Sequence, residues 1–415
     1  MPRMEKSLRF WLGWTMMSLV LPAALGAQGW PQWRGPNRDG AAGAFTAPQS
    51  WPEKMQRVWQ TAVGSGYSGP VTADGTIYLL SREGDEEVVR ALRSSDGTSR
   101  WRQSYPAPFT PSRASSAHGP GPKSTPVLHG GRLYTLGIRG MLSSFDAQSG
   151  ERLWQKDFSG EFKTPWPVCG AATSPLVAEG LLIAHVGGDH DGALTAFDAA
   201  SGELRWRLAG DGPGYASPIV VELRGQRQVV TLTDSHLTGV DLGSGRLLWR
   251  LPYTTQWDQN IITPVAYGEK LILSGFQKSI QAFAVKREGE QWTPQESWGN
   301  AQASLFTSSP VVVGDRLFGI SQKNKGQFFA LEAATGKTLW ISEGRQGGHA
   351  TLITAGDLVF ILSAEGELWI LPADADDFAP VARYQVADSP TWAHPALVDR
   401  GILIRDRTSL ALWSF

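Results

Sequence analysis

Cysteine is all but absent. Cys169 stands alone among 415 residues, so no disulfide can close within the chain. A lone cysteine is read first as a small buried hydrophobe rather than a reactive thiol. An excess of one charge is missing too. Thirty-eight Lys and Arg nearly balance 39 Asp and Glu, for a formal net charge of -1, which excludes a general attraction to nucleic acid or anionic lipid. Beyond the N-terminal region no apolar run is long enough to cross a bilayer. There is also no Gly-x-Ser-x-Gly, no His-Glu-x-x-His and no Gly-x-x-x-x-Gly-Lys-Ser/Thr.

Glycine (47), proline (26) and tryptophan (18) are plentiful, and so many turn formers imply many short strands. Closed all-β folds run long as single units, so the length does not demand several domains. At the N-terminus Arg3, Lys6 and Arg9 precede an apolar stretch, Phe10 to Val20, followed by the small residues Ala24, Gly26 and Ala27. This pattern reads as a signal peptide over residues 1–26, with an apolar core too short for a span, and it places the mature chain in the periplasm or outside the cell. No cysteine stands near the cleavage point, so a lipoprotein anchor is not expected. Cleavage after Gly26 removes Arg3, Lys6, Arg9 and Glu5 and leaves a net charge of about -3. Residues 27–56 form an irregular leader, expected to pack on the body because Trp33 and Trp51 are costly to leave in water. Residues 57–415 form that body.

A repeat governs the body. Ser124 to Trp154 contains four short strand-like runs, broken at Gly130-Gly131, at Gly137 to Gly140, and at Asp146-Ala147-Gln148-Ser149-Gly150. A glycine precedes a tryptophan by four residues at Gly97/Trp101, Gly150/Trp154, Gly202/Trp206, Gly245/Trp249 and Gly336/Trp340. The opening recurs as Gly69-Pro70, Thr125-Pro126, Ser174-Pro175, Ser217-Pro218, Thr263-Pro264 and Ser309-Pro310, then in degenerate form at Ala350-Thr351 and His394-Pro395. These eight openings recur every 40 to 55 residues or so, the period of propeller blades. The expected fold is all-β: an eight-bladed β-propeller of four-stranded antiparallel blades. In the Asp-x-x-Ser/Thr-Gly turns Asp bonds its own backbone and Gly accepts positive φ. Trp59, Trp101, Trp154, Trp206, Trp249, Trp298 and Trp340 are expected to dock between blades. The last unit is one strand short, and Val58-Trp59-Gln60 supplies the missing strand that shuts the ring and removes its open edges.

The units Ala196 to Trp206 and Ala330 to Trp340 resemble the tryptophan-docking repeat of PQQ-binding-like (quinoprotein-like) propellers, over roughly residues 55–415. The leader Trp30 to Gly40 resembles the start of many secreted members. Two branches share this fold: quinoprotein alcohol and sugar dehydrogenases, and the outer-membrane assembly factor BamB, a lipoprotein without enzymatic activity. The dehydrogenase branch implies PQQ with calcium, central carboxylates and, in many members, a vicinal disulfide. Cys169 alone cannot make that disulfide, and a full calcium ligand set cannot be aligned.

The Asp-x-x-Ser/Thr-Gly turns make one face of the ring regular, so irregular loops on the other face are the expected site. Tyr67, Lys123, Trp166, Tyr215, Trp257, Asp258, Asn260, Arg345, His349, Trp392 and His394 precede inner strands, and Lys323 lies on a second-to-third loop. Together they form a candidate ligand funnel at the channel mouth. Asp189, His190 and Asp191 are weak metal candidates; flanking glycines favour a tight polar turn there. No catalytic residue is assigned. The leading function is an exported, monomeric, non-catalytic scaffold that binds an envelope protein, a small molecule or a polymer. The alternatives are a PQQ-dependent oxidoreductase acting on alcohols or sugars, and a hydrolase or lyase on a borrowed fold.

Overall fold

The computed structural model describes residues 29–43, 45–399 and 401–415. Residues 1–28, which include the segment 1–26 expected to be a signal peptide, lie outside them. Among the described residues the strands form eight four-stranded antiparallel sheets, each made of consecutive strands except the last. Blade one covers 71–106, and blades two to seven follow at 127–156, 176–210, 219–252, 265–300, 311–341 and 350–385. Blade eight takes its inner three strands from Ala396–Val398, Gly401–Arg405 and Ser409–Ser414, and its outer strand from Gln56–Ala62. That outer strand pairs antiparallel with Ser409–Ser414, Thr61 facing Leu410 and Gln60 facing Ala411. The eight-bladed ring and its closure by an N-terminal strand are therefore as the repeat implied.

Blades bury apolar faces against one another. One such core joins Val230, Leu232 and Trp249 of blade four to Leu271, Phe283 and Trp292 of blade five. Two devices hold neighbouring blades together. The first is at the outer strands, where the residue before each docking tryptophan bulges out of register: Val58, Arg100, Leu153, Arg205, Leu248, Ser297 and Leu339. A bulge sharpens the local twist and re-aims the next side chain. In five of the seven the indole then lies on the turn glycine of the following blade. A Cβ on Gly97 would stand 2.6 Å from Trp59, on Gly150 2.6 Å from Trp101, on Gly202 2.9 Å from Trp154, on Gly245 2.4 Å from Trp206 and on Gly336 2.3 Å from Trp298. The indole N–H completes the contact, Trp101 Nε1 donating to Ala147 O at 2.9 Å and Trp206 Nε1 to Leu242 O at 3.0 Å.

Trp249 departs from this pattern. Its Nε1 donates within its own blade, to Gln228 Oε1 at 2.7 Å, and its ring covers Gly239, where a Cβ would come within 2.2 Å. The cause is local. Blade five replaces the short glycine turn with the long hairpin Ile280–Glu288 and Gln291–Asn300. The partner across from Trp249 is also Gly239, where other blades carry Ala91, Ala196 or Ala330. Trp154 Nε1 finds no acceptor, although its ring still lies on Gly202.

The second device rings the axis. Gly69 N donates to Thr125 Oγ1 (2.9 Å), Thr125 N to Ser174 Oγ (3.0 Å) and Ser174 N to Ser217 Oγ (2.9 Å). Ser217 N then donates to Thr263 Oγ1 (3.0 Å) and Thr263 N to Ser309 Oγ (3.1 Å). Each Ser/Thr-Pro opening thus supplies the acceptor for the N–H of the preceding blade, a buried donor that would otherwise go unpaired. Blades seven, eight and one open with Ala350, His394 and Gly69, which carry no hydroxyl, so this ladder is interrupted there.

The leader crosses the axis at the end of the channel where the first-to-second turns lie. It exchanges backbone hydrogen bonds with the inner strands of three blades: Thr72 N to Trp30 O (2.8 Å), Leu128 N to Pro31 O (2.8 Å) and Thr354 N to Gly40 O (2.8 Å). Arg34 donates to Ser309 O (3.2 Å) and Pro310 O (2.6 Å) of blade six, and Arg38 to Ser174 O and Pro175 O (both 2.9 Å) of blade three. Burial lowers their guanidinium pKa values to about 10 and about 9, so both remain cations at neutral pH.

Candidate functional site

On the opposite face the inter-blade connections enclose a cavity of about 370 Å³ over the axis. Its floor includes Trp33 of the leader, edge-on to His394 with ring centroids 5.2 Å apart. Its walls are richest where the hydroxyl ladder fails. There Trp392 stacks on His349 (4.1 Å, 12° between planes) and meets the edge of His118 (4.6 Å). Tyr67 stands 6.0 Å from His118, and its hydroxyl accepts from Arg407 Nε at 3.4 Å. Across the cavity Lys123 Nζ donates to Cys169 O at 2.8 Å, and Cys169 N donates to Tyr215 Oη at 3.3 Å.

Burial sets the charges. It lowers the Lys123 ammonium pKa to about 8. It lowers His349 to about 3, helped by His118, and drives His394 well below the ordinary imidazole value, helped by Arg34 and His349. Burial, with Lys123 nearby, lowers His118 as well. These imidazoles are neutral at pH 7. Among the described residues that line the cavity, none is a carboxylate.

Of the sequence candidates, Tyr67, Lys123, Tyr215, His349, Trp392 and His394 line this cavity. The others are elsewhere. Asn260 is wholly buried, its Nδ2 donating to Thr233 O (2.8 Å), Asp234 O (3.1 Å) and Tyr253 O (2.7 Å), so it ties loops together and offers nothing to a ligand. Trp166 lies under the guanidinium of Arg139, 4.8 Å from its ring centroid. Lys323 donates to Ala301 O, and Arg345 lines a separate depression with Asn324 and Lys325. Trp257 is 63% exposed, with φ of 61°. It packs on Phe276 at 5.2 Å, which meets Phe306 of the cavity wall at 4.7 Å, making an aromatic track from rim to funnel. Asp258 pairs with His190 Nε2 at 3.2 Å.

Asp189 and Asp191 accept backbone N–H groups, from Val168 (2.9 Å) and Lys163 (2.6 Å). They brace the connection between blades two and three. His190 turns toward Asp234 and Asp258 instead (3.4 and 3.2 Å). No group of three metal-suited side chains forms among the described residues. Sequence reasoning missed Trp33, His118, Phe276 and Phe306. Trp33 had a signal, an aromatic in a segment that had to pack; His118 and the two phenylalanines lie in loops without periodicity.

Calcium takes about six to eight oxygen ligands, mostly carboxylate and carbonyl. The cavity supplies imidazoles, hydroxyls, an ammonium and the one side-chain amide of Gln259, with no carboxylate, so it does not fit a calcium–quinone centre, and no chemistry is derived through one.

The family model described as outer membrane protein assembly factor BamB matches residues 85–342, and again 295–377. The chain belongs to this PQQ-repeat family. Among BamB relatives, the outer membrane protein assembly factor BamB of Yersinia pestis is 26% identical over 285 residues, covering 66% of this chain and 64% of that protein. The chain thus spans slightly less than two thirds of that relative's length. The crystal structure of BamB from Moraxella catarrhalis superposes with a TM-score of 0.63 at 16% identity, covering 87% of this chain and 98% of that one. A quinohemoprotein alcohol dehydrogenase from Comamonas testosteroni superposes with a TM-score of 0.68 at 14% identity, covering 93% and 80%. At such identities the superpositions show the fold alone. Among the described residues no helix is long and apolar enough to cross a membrane.

Proposed function

We propose that this BamB-family propeller is an exported binding scaffold that takes its partner, an envelope protein or an extracellular ligand, at the funnel face and performs no chemistry there. The observation that carries this reading is the donor set of the cavity. Its imidazoles are held neutral by burial and no carboxylate faces them, so the cavity offers donors and flat walls to a ligand but no carboxylate–imidazole pair to relay a proton. Strained backbone on the same face supports a binding role. Tyr215 (φ 77°), Trp257 (φ 61°) and Arg345 (φ 70°) are non-glycine residues in the left-handed region, and such strain persists where the surroundings over-determine it, often at ligand sites. The outer-membrane assembly role for which the BamB relatives are named fits an envelope-protein partner.

A photoreactive amino acid at Phe306, on the cavity wall, tests the reading against the same group at Gly225, on a bare turn of the other face. In the intact producing cell Phe306 should give an adduct of discrete mass, and Gly225 none. Absence of an adduct at Phe306, or equal adducts at both sites, overturns the funnel as binding site. Saturable, calcium-dependent binding of PQQ in a calorimeter overturns the non-catalytic assignment.

A further inference from the structure

We infer that the funnel is a receptor for an organic anion carried on a flat apolar body, recognised by donors at Lys123, His349 and Tyr215 and stacked among Trp33, Trp392 and Phe306. The inference rests on the funnel being the binding site and names the chemistry of what enters it.

The cation comes first. Lys123 Nζ has three N–H groups and makes one hydrogen bond, to Cys169 O. None of the ion pairs among the described residues includes it. A half-buried ammonium without a counter-ion, facing a cavity without carboxylates, is an incomplete pair. Its charged neighbours point the same way, since Arg34 reaches the floor and Arg407 reaches Tyr67.

The second observation is independent. His349 is only 5% exposed, lines the cavity, and its Nε2 has no partner. Its Nδ1 lies 2.9 Å from Thr307 Oγ1 and 3.1 Å from Ser308 Oγ. Ser308 Oγ already accepts the N–H of Ala350, which leaves its own proton free to donate to Nδ1. The tautomer in which Ser308 donates to Nδ1 carries its proton on Nε2, a buried donor without a partner. Tyr215 adds a third donor: its oxygen accepts the N–H of Cys169, and only the weakly accepting Cys169 sulfur lies beside its O–H. Buried polar atoms are ordinarily satisfied, and each exception in a concave site asks for a ligand.

The flat body follows from the walls. Trp392 lies parallel to His349 and Trp33 stands edge-on to His394, so planar groups already line the cavity. About 370 Å³ is within the range of pockets that enclose a small organic molecule.

The probe is 2-naphthoate, with 2-naphthamide as its neutral analogue, titrated into the full chain by calorimetry and by quenching of tryptophan fluorescence. At pH 7 naphthoate should bind one to one and at least tenfold more tightly than the amide. Raising the pH through about 8 removes the proton from Lys123, so naphthoate affinity should fall there while that of the amide stays flat. The titratable groups facing Lys123 are His118, the Cys169 thiol and the Tyr215 phenol. The imidazole is already neutral below that window and the phenol titrates above it. Lys123→Met should abolish both the preference and the pH dependence, and the wild-type pH titration gives the same answer should that variant not fold. Equal affinities for naphthoate and amide, or no binding of either, overturn the inference. An adduct at Phe306 together with failed naphthoate binding would retain the scaffold and discard only this ligand class.

Discussion

Replacing Gly245 by alanine should destabilise the ring through a residue in the neighbouring blade. Gly245 has φ of 70°, and an L-residue held there costs about 1–2 kcal/mol. Its new Cβ would stand 2.4 Å from Cδ2 of Trp206, so the indole must shift, although its other side is packed in the core between blades three and four. Forcing extra volume into such a core adds about 1–3 kcal/mol, for a total of about 2–5 kcal/mol. Gly268→Ala is the matched control. It has φ of 55° and nothing within 4 Å of its would-be Cβ, so only the backbone part applies, about 1–2 kcal/mol. Truncating the indole separates the two contributions. Trp206→Ala alone should cost about 3–5 kcal/mol, and in that background Gly245→Ala should cost only the backbone part. The assay is equilibrium unfolding in urea, read as midpoint shifts at constant slope. If Gly245→Ala and Gly268→Ala cost the same, or if the Gly245 penalty survives undiminished without the indole, tryptophan-on-glycine docking is not what joins the blades.

Deleting residues 57–62 removes the strand that pairs with Ser409–Ser414 and with it Trp59, whose indole lies on Gly97. The loss should exceed the roughly 3–5 kcal/mol of a single buried tryptophan, and an unchanged thermal melt would refute closure as a source of stability. His349→Gln should flatten the acid side of the stability profile. The native imidazole stays neutral down to about pH 3, whereas the unfolded chain takes up its proton at the ordinary value of 6.5. Unfolded protein therefore binds the extra proton between these values, and wild-type stability falls as pH drops through that window. The glutamine variant, compared by urea midpoints between pH 7 and 4, should lose less over the same range; equal slopes would mean that His349 protonates freely in the folded state.

The candidate site was only partly legible. Lys123, Tyr215, His349, Trp392 and His394 were found because each sits just before an inner strand, and strand starts converge on the axis by topology alone. Asn260 obeyed the same rule and proved structural. Nothing in its spacing separates a ligand donor from a side chain satisfied by three backbone carbonyls. Trp257 was correctly an exposed aromatic at the rim, yet its link through Phe276 to Phe306 joins three segments whose order in the chain says nothing of their contact.

By itself, the sequence determined the ring: the number of blades, four strands in each, and closure by Val58-Trp59-Gln60. These are consequences of local chemistry repeated at a fixed period, such as glycine at positive φ and proline at a strand start, and local chemistry is written in consecutive residues. Tertiary structure alone decided how the blades are joined and what the funnel holds. The serine and threonine hydroxyls bridge openings some 45 residues apart, the bulges aim the indoles, and Trp33 reaches the cavity floor only because Arg34 and Arg38 clasp carbonyls of blades six and three. Each of these depends on distances between segments remote in the chain. Those distances are fixed only when the ring closes and sets the radius at which the eight strand starts face one another.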